Sequence, residues 1–289
     1  MKNLLLIVLL FTMPVLAKAQ GDAEVKKVTL PKGFTEQLDV VYTTVDGWQG
    51  KMDLYLPPKE NDPSPVVINI HGGGWNKGNK ESQTGFSSFF KKGYAVARIS
   101  YRLSPVATAP AAIEDARCAL AYIVNNAKAL NIDPDKIVVM GTSAGAHLAL
   151  MAGLADNARF DRDCKTKKPV KVAAIIDKYG ITDVKAWPSK SATQWLGDKA
   201  NDEAFARSVS PLYNIKKNSP PVFIVHGDAD PTVAYQQSLD LKAVLDKAGI
   251  KNKMITIPGG QHGKFAKEQN TMVNNEIMDF LKDIGVHEK

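Results

Sequence analysis

The residues Gly141-Thr142-Ser143-Ala144-Gly145 have the types and spacing that nucleophilic chemistry asks for. They follow the apolar run Lys136 to Met140 and open a helical one, Ala146 to Leu154, so Ser143 stands at the apex of a strand–turn–helix. Glycine on both sides lets so tight a turn form and leaves the hydroxyl exposed in a strained backbone. The helix that follows offers free N–H groups and the positive end of its dipole where an oxyanion would develop. A serine so placed attacks a carbonyl carbon and forms a covalent intermediate, provided a base, an acid that orients the base and further amide donors are found elsewhere.

The donors are offered by His71-Gly72-Gly73-Gly74-Trp75, directly after the apolar run Val66 to Ile70. Successive glycines bring main-chain N–H groups to a cleft with no side chain in the way. Gly73 and Gly74, or Trp75 by a shift of one, would join Ala144 in an oxyanion hole. A phosphate cradle would need a lysine and a hydroxyl residue right after the glycines, and Trp75-Asn76 supply neither. For the acid, His226 to Val233 holds two carboxylates at a strand end, Asp228 and Asp230. Asp230, deeper in the loop and before Pro231, is preferred; Asp228 is the reserve. Of five histidines, His71 and His226 read as structural, His147 points down the serine helix, and His287 lies in a tail expected to fray. His262, in the loop Pro258-Gly259-Gly260-Gln261-His262-Gly263, remains as the base, and the chain order Ser143, Asp230, His262 fits a hydrolase triad.

Such groups need a rigid frame. Two alternating stretches, 37–45 and 50–56, separated by Asp46-Gly47, read as an antiparallel hairpin. Beyond them short apolar runs at 66–70, 94–99, 137–140, 172–176, 222–225 and 253–257 alternate with helical patterns at 81–92, 110–130, 144–155, 234–248 and 265–284. That alternation gives an α/β architecture, a mostly parallel sheet with helices on both faces. Its ligands belong at the carboxyl ends of the strands, where all the residues named above fall.

The first residues, Met-Lys-Asn, an apolar stretch Leu4 to Leu16, then Ala17-Lys18-Ala19, read as an export leader cut after Ala19, leaving 20–289 as one catalytic domain. No later stretch is apolar for the roughly 18 residues of a membrane span. The net charge of +7 includes Lys2 and Lys18 of the leader, and the remaining excess is dispersed. Its dense clusters, Lys165 to Lys168 and Lys216-Lys217, carry no interleaved aromatics, which argues against nucleic acid as a partner. Cys118 reads as a small core residue on a helix and Cys164 as a loop residue, so a bridge is possible after export but not favoured, and no metal-ligand spacing involves either.

Together, the His-Gly-Gly-Gly-Trp loop, the Gly-Thr-Ser-Ala-Gly turn, His-Gly-x-x-Asp-x-x-Val and Gly-Gly-x-His-Gly resemble the α/β-hydrolase superfamily over nearly the whole mature chain. With Tyr101-Arg102-Leu103-Ser104 and Ser210-Pro211-Leu212-Tyr213, the chain is similar to the secreted bacterial bifunctional feruloyl and acetylxylan esterases. The resemblance implies a Ser143-His262-Asp230 triad acting on acetyl or feruloyl esters of xylan, with no metal or organic cofactor. Thr142 stands where the hormone-sensitive-lipase pattern has Asp, and only about fifteen residues separate the expected cleavage point from the first strand, where that group has a longer N-terminal cap. One short insertion, 182–208, carries Trp187 and Trp195 and would wall an acyl pocket, with Trp75 and Trp195 as expected substrate contacts. A small-molecule hydrolase of arylformamidase type, a serine peptidase and a non-catalytic binding module are the alternatives.

Overall fold

In a computed structural model the described residues are 27–287, apart from 61, 156, 162, 163, 165 and 167. The leader therefore lies outside them. Eight strands run β1 (Thr35–Val45), β2 (Trp48–Leu56), β3 (Ser64–Ile70), β4 (Ala95–Ile99), β5 (Ile132–Thr142), β6 (Ala174–Lys178), β7 (Val222–Gly227) and β8 (Asn252–Ile257). The helices are α1 (Ser87–Lys91), α2 (Ala111–Leu130), α3 (Ala144–Leu154), α4 (Asn157–Phe160), α5 (Lys190–Leu196), α6 (Glu203–Ser208), α7 (Gln236–Ala248) and α8 (Lys267–Asp283).

The strands form one sheet in the order β1-β2-β4-β3-β5-β6-β7-β8. β1 and β2 pair antiparallel through the Asp46-Gly47 turn, both of whose residues have positive φ, 47° and 81°. Such a turn matches the natural twist of a hairpin. From β4 to β8 every neighbouring pair is parallel. Because crossover helices cover both faces, the inner strands are largely buried: all five residues of β4 and all six of β7 are buried. One core packs α2, α3 and α7 on one face; the other packs α1 and α8 on the opposite face through Phe89, Phe90, Val273, Ile277 and Phe280. This is the mostly parallel sheet the alternation implies, in the arrangement expected from the resemblance to α/β-hydrolases.

Three expectations are corrected. The helix anticipated over 81–92 shrinks to α1, because Lys80 is anchored by Asp39, Asp53 and Glu81 in a tight turn and Gln83 reaches away to Thr142. Cys118 and Cys164 form a disulfide. The loop is drawn back to α2 by Arg117, whose guanidinium pairs with Asp161 at 2.7 Å, and this fold-back leaves no trace in local sequence. Cross-linking residues 46 apart stabilises by about 4 kcal/mol in the chain-entropy account. His287 is not frayed either: it is buried and hydrogen-bonds the Tyr94 hydroxyl at 2.8 Å.

Candidate active site

Ser143 joins the end of β5 to the start of α3 with φ 54° and ψ −123°, a backbone that L-residues avoid and that surrounding structure must enforce. Two close approaches enforce it. A Cβ on Gly141 would sit 2.2 Å from the Gly145 carbonyl carbon, and one on Gly145 would sit 2.2 Å from the Ile70 oxygen. The strand end, the helix start and β3 are thus packed backbone to backbone. The Ser143 N–H donates to the Lys178 carbonyl at 2.9 Å, which ties the apex to the end of β6.

The glycine loop turns beside it. Gly73 and Gly74 have φ of 117° and 60°, and neither N–H has an acceptor among the described residues. His71 shapes the loop by donating from Nδ1 to the Gly72 carbonyl at 2.7 Å while its ring stacks on Tyr101. Burial lowers its pKa to about 4, so it is neutral at working pH and adds no charge. Asn76 continues the loop and donates to Ser191 and Gln194 of the insertion, clamping α5 over the glycines.

The acid side is the most densely bonded part of the site. Asp230 Oδ1 accepts from the amides of Thr232 and Val233 at 2.7 and 3.0 Å, and Oδ2 accepts from His262 Nδ1 at 2.6 Å and His226 Nε2 at 3.1 Å. Burial opposes the charge on this carboxyl, yet those four donors hold its pKa well below the usual carboxylate range. His226 must carry its proton on Nε2, since that atom also faces the Val233 carbonyl at 3.0 Å, while its Nδ1 meets Ser238 Oγ at 2.7 Å. With Nδ1 of His262 committed to Asp230, its Nε2 is left as the basic nitrogen.

Ser143, His262, Gly73, Gly74, Trp187 and Thr232 are among the residues lining one cavity of about 510 Å³ at the carboxyl ends of the strands. Residues far apart in number thus share one space. Ala144 is fully buried behind Ser143 as the first residue of α3. Asp228, the reserve acid, is used otherwise: its Oδ1 accepts from the Gly259 N–H at 2.6 Å and ties down the loop that carries His262. His147 is buried, donates from Nε2 to the Val209 carbonyl at 2.8 Å, and has its pKa lowered to about 4 by burial.

The two tryptophans expected to touch substrate are corrected. Trp75 and Trp195 are both fully buried and stack on each other with centroids 4.4 Å apart, behind the cavity wall. Trp187 faces the cavity instead, with Nε1 donating to the Thr232 carbonyl at 2.6 Å. One residue of the site escaped sequence reasoning, and another was read only as structural. Tyr179, with φ 49°, brings its ring to 4.8 Å from the His262 ring and lines the same cavity. His226 shares the acid with His262; its place directly before Gly227 at a strand end, four residues before Asp230, was the available signal.

A family model described as BD-FAE matches residues 52–245, most of the folded chain. The chain belongs to the BD-FAE family. Its architecture is that of an α/β-hydrolase. It is 29% identical over 250 residues to esterase LipQ of Mycobacterium tuberculosis, covering 81% of this chain and 59% of that one. The chain thus spans little more than half the length of that curated relative. Among solved structures, a truncated carbohydrate esterase from gut microbiota is 29% identical with TM-score 0.74, covering 92% of this chain and 99% of that one. A bifunctional GH43-CE protein of Bacteroides eggerthii is 27% identical with TM-score 0.73, covering 86% of this chain and 38% of that one.

Proposed function

We propose that this BD-FAE member is an exported carboxylic ester hydrolase that removes acetyl or feruloyl groups from xylan through Ser143, His262 and Asp230. The observation that carries the reading is Asp230 Oδ2 at 2.6 Å from His262 Nδ1, which leaves Nε2 of a cavity-lining imidazole free to take a proton. In the first step His262 Nε2 accepts the Ser143 proton as Oγ attacks the ester carbonyl. The N–H groups of Gly73, Gly74 and Ala144 stabilise the oxyanion, a contribution of about 3–4 kcal/mol for one such donor. Collapse breaks the bond to the alcohol, which takes the proton from His262 and leaves an acyl-Ser143. Water, deprotonated by His262, then attacks the acyl carbon; the acid leaves and Ser143 regains its proton.

The polymer substrate is supported by likeness to a carbohydrate esterase over 92% of this chain. Export is supported by the leader-like first residues and by the Cys118–Cys164 disulfide, since such bonds persist in oxidising compartments. Among the described residues no helix is long and apolar enough to cross a membrane. The test is acetate and ferulate release measured side by side from a plant xylan, with fluorophosphonate labelling of Ser143 as control. Release of either acid supports the reading. Labelling without release moves the substrate to small esters, and absence of labelling defeats the serine mechanism.

A further inference from the structure

On the far side of Tyr179 lies a second cavity, of about 580 Å³, between the sheet, the segment before α1 and α8. Thr142, Tyr179 and Gly263 line both spaces, so a thin partition separates this one from Ser143 and His262. Gln83 Nε2 donates to Thr142 Oγ1 at 2.6 Å and braces that partition from below. Strand register places the cavity's polar groups on one face. Asn69 pairs with Met140 across β3 and β5, Thr142 pairs with Lys178 across β5 and β6, and residues two apart along β5 share a side.

Two of these groups lack partners. Asn69 is 1% exposed, and neither its Nδ2 nor its Oδ1 has a hydrogen-bond partner among the described residues. Buried polar groups are almost always paired, so an amide with both ends free beside a cavity is open to pairing with a bound group. Lys178 brings an ammonium to the same wall, and no carboxylate among the described residues pairs with it. The cavity lining holds no Asp or Glu and no second cation. Burial lowers the Lys178 pKa to about 8, so the group remains largely charged near neutrality. Phe86 and Phe265 supply apolar walls, while Ser82, Gly85 and Asn270 form an exposed rim.

We propose that this cavity binds a small organic carboxylate, with Lys178 as its charge partner, Asn69 as its amide contact and Phe86 and Phe265 against its apolar body. The site uses neither the Ser143 hydroxyl nor the His262 imidazole and so does not rest on the ester reading. Benzoate is the probe, titrated calorimetrically into the Ser143→Ala protein and into wild type whose serine has been blocked by a fluorophosphonate. One equivalent should bind in both. Lys178→Met should weaken it about tenfold or more, the loss expected of a charge-assisted hydrogen bond, and Asn69→Leu should weaken it less. Neutral benzamide should bind about tenfold more weakly to the unaltered protein, a comparison that needs no variant to fold.

Equal binding by folded Lys178→Met, equal binding of benzamide, loss of binding on blocking Ser143, or no binding at all would each overturn the proposal. The carboxylate's source is read by replacing benzoate with the acid released from the best ester. Tight binding makes it the reaction's own product, and weak binding beside intact benzoate binding makes it an unrelated acid; both uphold the site.

Discussion

The two sides of Tyr179 treat polar groups differently. Toward the Ser143 cavity, the Asp230 carboxylate is filled by four donors, and His262, one of the four, is fixed by that bond. Toward the second cavity, Asn69 has both amide ends free and Lys178 lacks a carboxylate partner among the described residues. The same contrast recurs within β6, where Asp177 Oδ1 accepts from the Gly180 N–H at 2.9 Å but Oδ2 is buried without a partner among the described residues. Groups that must hold a geometry are saturated with hydrogen bonds, since every missing partner would leave them free to turn. Groups left unsaturated burden the folded state until something pairs with them.

The sharpest break in this contrast is Ser143→Ala, which should lower kcat for a nitrophenyl acetate by on the order of 10⁵-fold with the melting temperature nearly unchanged. Undiminished turnover would remove the serine from the chemistry. Next is Asp230→Asn. The amide keeps the shape but cannot accept from both imidazoles as a carboxylate does, so kcat should fall about 10³–10⁴-fold. A loss under tenfold would mean that the four bonds to Asp230 serve the loop and not His262.

On the unsaturated side the expected effects are on stability. Burial raises the pKa of Asp177 from 3.8 to about 6, against the pull of His226 and the Gly180 amide. A carboxyl whose folded pKa is raised is stabilising when protonated, and that stability is lost as pH rises through about 6. Asp177→Asn should therefore stabilise at pH 7–8 by about 2–3 kcal/mol, with the gain shrinking toward zero near pH 4 in denaturant titrations. A gain independent of pH would assign it to packing. The smallest effect is for Asn69→Leu, which exchanges an unpaired amide for an apolar group of similar shape. Stability should hold or rise by about 1 kcal/mol, whereas a clear loss would show that the amide has a partner in solution.

Much of the site could be read from the chain because its parts carry local signatures. Ser143 is flanked by glycines that a strand–turn–helix requires, and the Gly73-Gly74 pair follows a strand end. Choosing Asp230 over Asp228 was possible from loop position, although the reason appears only in space: Asp228 is engaged by Gly259. The assignment of Trp75 and Trp195 to substrate fails for a physical reason. An aromatic next to a functional loop is read the same way whether it faces the cleft or backs it, and here the pair is stacked behind the wall while Trp187 faces in. The disulfide and the buried His287 were likewise hidden, since each depends on a long-range return of the chain.

The sequence alone determined the alternation of strand and helix, the chain order of Ser143, Asp230 and His262, and the glycines that permit the tight turn at Ser143. Those are properties of periodicity and backbone sterics, which act over a few residues. Tertiary structure decided which histidines share one carboxylate, which tryptophan meets the cavity, and that Asn69 and Lys178 stand on one face without partners among the described residues. These depend on strand register and on how α8 and the segment before α1 close over the sheet, and packing across many residues sets both.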